Sequence, residues 1–137
     1  VYGPYGRPDM AYFKFSKQIK ENSKITIYNK GNMSRDMTYI DDIIEGIKLA
    51  IKADNLTNPH KIFNLGNNKP VYLMKFIQLL EESLGIEAIK QFEPMQLGDV
   101  KETFASNEKL YDWIKFKPKT NIEEGVYKFV SWYKSYF

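Results

Sequence analysis

The sequence predicts an α/β domain in which a small mixed sheet packs with about five helices. Segments with an apolar residue at every third or fourth position alternate along the chain with about four short runs of β-branched and aromatic residues. The 137 residues are enough for one domain with a core, and 43% hydrophobic against 27% charged residues is the composition of a folded chain. No internal repeat or low-complexity segment interrupts the pattern.

Helical periodicity and helix-end signals predict the five helices. They cover residues 10–21, residues 41 to the polar run 54–59, and residues 72–84, 107–114 and 122–137. Asp9 is placed to cap the first helix, and Asp41 and Asp42 are expected to cap the second helix and to compensate its macrodipole. Gly85 ends the third helix.

Short β-prone runs predict the strands. They cover residues 25–28, 37–39, 61–65 and 88–92. The first run is closed by the turn 29–32, and the third by the turn 66–68. Because each run is only three to five residues long, the sheet that they build is expected to be small.

Composition excludes several classes of function. The absence of Cys removes disulfide scaffolds, thiolate metal sites and cysteine nucleophiles. No apolar run approaches the roughly 20 residues that span a bilayer, so no membrane partner is expected. The net charge of +3, from 20 Lys and Arg against 17 Asp and Glu, is mild and dispersed, which disfavours nucleic acid as a partner. His60 is the one histidine and is expected in an ordinary surface or loop position.

The start of the chain suggests a piece of a longer polypeptide. Val1 and Tyr2 are strand-like residues that run directly into a Gly-Pro turn with no element before them. No Gly-x-Gly-x-x-Gly or P-loop sequence occurs between a predicted strand and helix, so these residues carry no dinucleotide-binding signature.

Two arginines are the most informative basic residues. Arg7 and Arg35 are the only arginines among 20 basic residues, and both lie just outside regular elements. A guanidinium fork grips carboxylate or phosphate bidentately, which favours a ligand role. A structural ion pair, such as Arg35 with Asp36 or Asp41, is an equally good interpretation. The turn 97–100 contains Asp99, which can accept hydrogen bonds from a diol or serve a plain turn.

Six sequence blocks resemble one enzyme family. They cover residues 1–11, 25–31, 34–43, 62–66, 96–100 and 116–126. In this order they resemble the extended short-chain dehydrogenase/reductases that act on nucleotide sugars. Gly-Arg-Pro-Asp-Met-Ala (6–11) and Gln-Leu-Gly-Asp-Val (96–100) most resemble the UDP-glucuronate 4-epimerases, a branch that includes enzymes of capsule and lipopolysaccharide biosynthesis.

The resemblance implies a part of an NAD-dependent enzyme. Residues 1–137 would be the C-terminal, UDP-sugar-binding part of a cytoplasmic, homodimeric epimerase, which inverts C4 through transient oxidation to a 4-keto sugar. A Rossmann domain upstream of Val1 would hold NAD and a Ser/Thr, Tyr and Lys catalytic set. Tyr111 and Lys115 have the family's Tyr-x-x-x-Lys spacing, but they follow the other motifs instead of preceding them, so the match is read as coincidence. The chain alone is expected neither to bind NAD nor to epimerise a sugar.

The resemblance also implies roles for residues at the nucleotide. Arg35 matches the position that binds the UDP pyrophosphate, and Asp99 matches the ribose-binding acid. The remaining nucleotide positions border uracil or begin the helix that lines the site. They are Met10, Ala11, Thr26, Ile27 and Tyr28.

Two further positions concern the phosphate and sugar ends of the substrate. Gln96 occupies a place where galactose-type epimerases often carry Arg. Arg7 is a candidate for the glycosyl or phosphate end, near the sugar carboxylate. Two other functions remain open at this point: another UDP-sugar epimerase, dehydratase or decarboxylase, or a non-catalytic nucleotide-binding fragment.

Overall fold

Helices and short strands alternate along the chain, and a computed structural model describes them over residues 1–53 and 60–137. Within these residues the α-helices are α1 (Ala11–Lys20), α2 (Ile40–Lys52), α3 (Leu73–Leu84), α4 (Glu108–Ile114) and α5 (Ile122–Tyr136). The strands are β1 (Lys24–Ile27), β2 (Ser34–Asp36), β3 (Pro70–Tyr72) and β4 (Ile89–Phe92). The predicted α/β class and the five helices are confirmed, with boundaries within about two residues of those expected.

The strands form two small sheets instead of one mixed sheet. β1 pairs with β4 in parallel, with Ile25 opposite Lys90 and Ile27 opposite Phe92. β2 pairs with β3 in antiparallel fashion, with Arg35 opposite Val71. The parallel pair is joined through helices α2 and α3, which is the long connection that parallel neighbours require.

Two predicted strands are wrong. Residues 61–65 form no strand, because no described strand lies beside them to pair with their N–H and C=O groups. Phe63 instead stacks on Trp113, with ring centroids 4.7 Å apart. Residues 37–39 contribute only an isolated bridge between Tyr39 and Tyr2, and the strand forms at Ser34–Asp36. The run 54–59, predicted to end α2, lies outside the described residues.

An aromatic core, formed by α1, α3 and α5 around β1, holds the fold together. Ile25 and Ile27 on β1 are fully buried, as period-2 alternation requires for one face of a strand. The other core residues are large and apolar; they include Tyr2, Tyr12, Phe13, Ile19, Phe76, Ile77, Leu80, Val126, Phe129 and Val130. Gly125 on α5 is required by close approach, since a Cβ there would lie 1.9 Å from the Tyr2 hydroxyl.

The predicted acidic caps act differently in the structure. The N-cap residues of α1 and α2 are Met10 and Tyr39, and neither helix has a side-chain cap hydrogen bond. Asp9 pairs with Arg7 instead. The buried carboxylate of Asp42 accepts the backbone N–H groups at 119 and 120 over 3.2 and 2.9 Å, which fixes the segment before α5. Capping by Asp9 and Asp42 is therefore wrong, although the acids in the first turn of α2 still favour its positive end.

Candidate functional site

Arg35 lies on the short strand β2 and is held by three hydrogen bonds. Its Nη2 donates to Asp99 Oδ1 over 2.8 Å, and its Nη1 donates to the carbonyls of Ser34 and Lys101 over 2.9 and 3.3 Å. Both members of the ion pair are partly buried, with side chains 29% and 33% exposed. An ion pair was one of the two interpretations of Arg35, but the expected partners, Asp36 and Asp41, are wrong: the partner is Asp99.

Asp36 is unavailable to Arg35 because it organises the neighbouring loops. Successive side chains of a strand point to opposite faces, so Asp36 lies across β2 from Arg35. Asp36 Oδ2 accepts the backbone N–H groups of Asn68 and Ala105, each over 3.0 Å. Its own N–H donates to Thr103 Oγ1 over 3.0 Å. The carboxylate therefore joins two loops to β2.

Further buried polar side chains complete this arrangement. Thr38 Oγ1 accepts the N–H of Asn67 over 2.9 Å, and the Asn67 side chain donates to the Met37 carbonyl. Asn107 bonds the backbone of Gly66 in both directions. We call the side chains of Asp36, Thr38, Asn67 and Asn107, with the backbone groups that they bond, the β2 framework. It fixes the strand from which Arg35 projects.

Asp99 is positioned by a tight turn. Gly98 adopts a φ of +82°, a left-handed conformation that glycine accommodates without strain. The Asp99 N–H donates to the Gln96 carbonyl over 3.2 Å, and Asp99 Oδ1 accepts the Val100 N–H over 2.8 Å. The Gln96 side chain itself is exposed. The turn therefore presents Asp99, and not Gln96, to Arg35.

The contacts of Arg35 leave part of its guanidinium available. A guanidinium has five N–H donors, and the three bonds to protein use both hydrogens of Nη1 and one of Nη2. The Nε–H and the second Nη2 hydrogen have no partner among the described residues. Two fixed donors on a permanently charged group suit a phosphate oxygen.

A groove beside α1 brings together three of the predicted nucleotide residues. Ala11, Thr26 and Tyr28 line the same open groove, which has a volume of about 1480 Å³. Lys14 and Lys17 of α1 line it as well, together with Lys20 and the acids Asp9 and Glu21. The sequence analysis assigned no role at the groove to Lys14 and Lys17. The available signal was their helical spacing from Ala11 and Gln18, which places them on the same face of α1.

β1 exposes one backbone edge to this groove. The Ile27 carbonyl accepts the N–H of Glu93, so the backbone groups of Ile27 point toward β4. Because these groups alternate in direction along a strand, the N–H and C=O of Thr26 point the opposite way. Among the described strands β1 pairs with β4 alone. The side chain of Ile27 is fully buried, so it can reach a ligand only through its neighbours.

Arg7 and Met10 line a second, smaller concavity. It has a volume of about 320 Å³ and shares Tyr5 and Gly6 with the groove, so the two adjoin. The exposed Arg7 donates from Nε and Nη2 to the two carboxylate oxygens of Asp9, over 3.0 and 2.5 Å. This hydrogen bonding lowers the pKa of Asp9. Arg35 and Asp99 do not line either concavity.

The described residues offer no metal site or long apolar helix. No group of three or more His, Asp or Glu within residues 1–53 and 60–137 is arranged to hold a metal ion. Over the same residues, every helix is too short or too polar to cross a membrane. His60 is exposed and outside regular structure, as predicted. Lys115 Nζ lies 5.3 Å from the ring centre of Tyr111 at the end of α4, which gives this pair a local packing role.

The residues present do not fit a bound dinucleotide. A dinucleotide pyrophosphate is held by a glycine-rich loop between a parallel strand and a helix. The sequence has no such loop, and the described strands form only two-stranded sheets. The described residues therefore contain no dinucleotide-binding loop of this kind.

Comparison with known proteins gives consistent matches. Residues 1–66 match the model of the NAD dependent epimerase/dehydratase family. The chain is 47% identical to "Protein CapI" of Staphylococcus aureus, over all of this chain and 46% of that protein. It is 44% identical to "Probable UDP-glucuronate 4-epimerase" of Rhizobium meliloti, over 97% of this chain and 44% of that protein.

A solved structure matches the fold over the full length of the chain. It is the UDP-glucuronic acid 4-epimerase of Bacillus cereus in complex with UDP-glucuronic acid and NAD, with a TM-score of 0.92 and 31% identity. The match covers 100% of this chain and 43% of that one. The chain thus spans less than half the length of these relatives.

Proposed function

We propose that the chain, which matches the NAD dependent epimerase/dehydratase family over residues 1–66, forms the UDP-sugar-binding part of a UDP-glucuronate 4-epimerase. The observation that carries this proposal is the guanidinium of Arg35, which is fixed by protein contacts and has two N–H donors without a partner among the described residues. The relatives named as UDP-glucuronate 4-epimerases support the choice of sugar.

The nucleotide half of the substrate takes three contacts in this proposal. Arg35 binds the pyrophosphate, and Asp99 accepts a ribose hydroxyl on Oδ2, the oxygen that Arg35 does not use. Uracil lies against the edge of β1, where the N–H and C=O of Thr26 form the donor and acceptor pair that a pyrimidine edge complements. Tyr28 is 37% exposed beside this edge and offers a ring face to the base.

The sugar half lies in the smaller concavity, at Arg7 and Met10. In the structure Arg7 already donates two hydrogen bonds to one carboxylate, that of Asp9, in the bidentate geometry. A uronate carboxylate has the same shape and charge, so it replaces Asp9 in the complex. The Gln96 side chain lies in the turn that carries Asp99 and is uncharged, so it does not provide a second cationic group for phosphate binding.

NAD and the catalytic groups belong to a domain outside these 137 residues in this proposal. The support is the lack of a glycine-rich loop here and the larger size of the relatives, one of which was solved with NAD. NAD would supply the reversible oxidation at C4. The residues of this chain hold the nucleotide firmly and contact the hexose at few points, which lets the sugar turn over while UDP stays bound.

The same proposal includes the cellular setting of the whole enzyme. We place it in the cytoplasm as a homodimer that serves polysaccharide biosynthesis, of the capsule or lipopolysaccharide type. The likeness to "Protein CapI" supports this setting only loosely.

Calorimetric titration with UDP tests the proposal. We expect the 137-residue chain to bind UDP, and Arg35→Ala to weaken binding about tenfold or more, since a charged hydrogen-bond donor to phosphate is lost. Arg35→Lys keeps the charge without the fork and should fall between the two. Lys109→Ala, an exposed lysine on α4, is the matched control. Unchanged binding by Arg35→Ala would remove the phosphate grip from the proposal.

The choice of sugar needs a separate assay. A chain extended by the missing domain should turn over UDP-glucuronate and prefer it to UDP-glucose, and Arg7→Ala should reduce that preference. Turnover of UDP-glucose alone would contradict the assignment to UDP-glucuronate. Failure of the 137-residue chain to bind UDP at all would contradict the proposal as a whole.

A further inference from the structure

We infer that Asp99 is a positioning residue for Arg35, and that it contributes to diphosphate binding by holding the guanidinium in a fixed orientation. The inference rests on the proposed function, since it concerns the grip on the pyrophosphate. It adds a role to the ribose contact that the sequence resemblance implies for Asp99.

The hydrogen bonds of Arg35 define the plane of its guanidinium. Nη1 is saturated by two backbone carbonyls, and Asp99 fixes the Nη2 end over 2.8 Å. Without Asp99, only the Nη1 end of the long Arg35 side chain stays anchored. Ligand binding then has to order the rest of the guanidinium, which costs conformational entropy. With Asp99, both the Nη1 and the Nη2 ends of the guanidinium are anchored before a ligand binds.

Asp99 is suited to this role because its own place does not depend on a ligand. Oδ1, the oxygen that Arg35 uses, also accepts the Val100 N–H over 2.8 Å. The loop beyond it is tied to β2 by the bond from the Ser34 N–H to the Lys101 carbonyl, over 3.0 Å. The carboxylate and the strand that carries Arg35 are thus parts of one hydrogen-bonded unit.

The change in UDP affinity on removal of Asp99 distinguishes the positioning role from two alternatives. Asp99 is an anion beside a site proposed for a diphosphate, so Coulomb repulsion alone predicts that its removal tightens UDP binding. A purely ribose-binding role predicts that its removal weakens uridine, UMP and UDP by the same factor. Positioning of Arg35 predicts a loss that grows with the number of phosphates. The three roles therefore give three different results in one titration series.

Titration of Asp99→Ala with uridine, UMP and UDP makes this test, with Kd values from NMR chemical-shift changes. We expect the Kd for UDP to rise about tenfold more than the Kd for uridine does. A change of this size corresponds to the loss of one charge-assisted hydrogen bond. Asp99→Asn keeps an acceptor oxygen and should recover part of the loss. Leu97→Ala, a fully exposed position of the same turn, is the matched control.

A double mutant separates positioning from general damage. In the Arg35→Ala background, Asp99→Ala should cost UDP no more than it costs uridine, because there is no guanidinium left to orient. An equal loss for uridine, UMP and UDP in the single variant would overturn the inference, and so would tighter UDP binding. In either case a wild-type chain that binds UDP leaves the proposed function intact. If the wild-type chain binds no UDP, the proposed function fails and the inference fails with it.

Discussion

The aromatic core and the β2 framework stabilise the same fold by different means. In the core, Phe129 is fully buried and packs edge-on against Tyr12, with ring centroids 5.0 Å apart. In the β2 framework, polar side chains such as Asp36 and Asn107 are bonded to backbone groups of distant loops. Apolar area stabilises the first region, and satisfied N–H and C=O groups order the second. The comparison teaches that Arg35, the residue proposed to bind phosphate, is carried by the region with less apolar packing.

The largest effect is expected from Phe129→Ala in the aromatic core. The lost contacts and the cavity should lower the free energy of unfolding by about 3–5 kcal/mol. Urea denaturation measures this change, and Tyr127→Ala, on the exposed side of α5, should stay within about 0.5 kcal/mol of the parent. A smaller cost than that of Asp36→Ala would reverse the ranking of the two regions.

A smaller effect is expected from Asp36→Ala in the β2 framework. The N–H groups of Asn68 and Ala105 lose their acceptor, which should cost about 2 kcal/mol. UDP affinity should fall as well, because β2 carries Arg35. Glu87→Ala, an exposed acid before β4, is the control for urea denaturation and UDP titration. A loss of stability with unchanged UDP affinity would contradict the prediction that the β2 framework supports UDP binding.

The smallest effect is a dependence of the core on alkaline pH. Burial raises the pKa of Tyr2 above its ordinary value of about 10, and nearby Tyr39 and Asp42 raise it further. The folded state favours the neutral tyrosine. Its contribution to the free energy of unfolding is therefore complete below about pH 10 and is lost as the pH rises further. Tyr2→Phe should therefore reduce the fall of the unfolding free energy between about pH 10 and about pH 11, by up to about 1.4 kcal/mol. Equal slopes for the variant and the parent would show that Tyr2 is not held neutral.

The same contrast explains what could be predicted from the sequence. Helices α2 and α3 follow from apolar periodicity, and Gly85, with a φ of +76°, ends α3 as predicted. Periodicity detects burial of apolar side chains, so it predicts the aromatic core well. It does not detect a carboxylate that bonds backbone 32 to 69 residues away, as Asp36 does, so the β2 framework was missed.

The sequence nominates residues for the proposed site by their type, but it does not predict which residues they pair with. The scarcity of arginine among 20 basic residues points to Arg7 and Arg35. Pairing of Arg35 with Asp99 joins residues 64 positions apart, and no local pattern contains that information. The segment 61–65 shows the opposite limit, since its strand propensity is real but no described strand pairs with it.

The edge of β1 that no described strand covers bears on how the proposed binding site can change in evolution. Recognition through the N–H and C=O of Thr26 belongs to the main chain, which almost every amino acid supplies alike. Substitutions at this position can therefore drift without loss of the base contact, with proline, which lacks the N–H, as the exception. Arg7 and Arg35, in contrast, would act through their side chains, so any amino-acid substitution there removes the proposed contact. In the proposed complex, main-chain groups that tolerate substitution bind the base, and side chains that do not tolerate it bind the phosphate and the sugar.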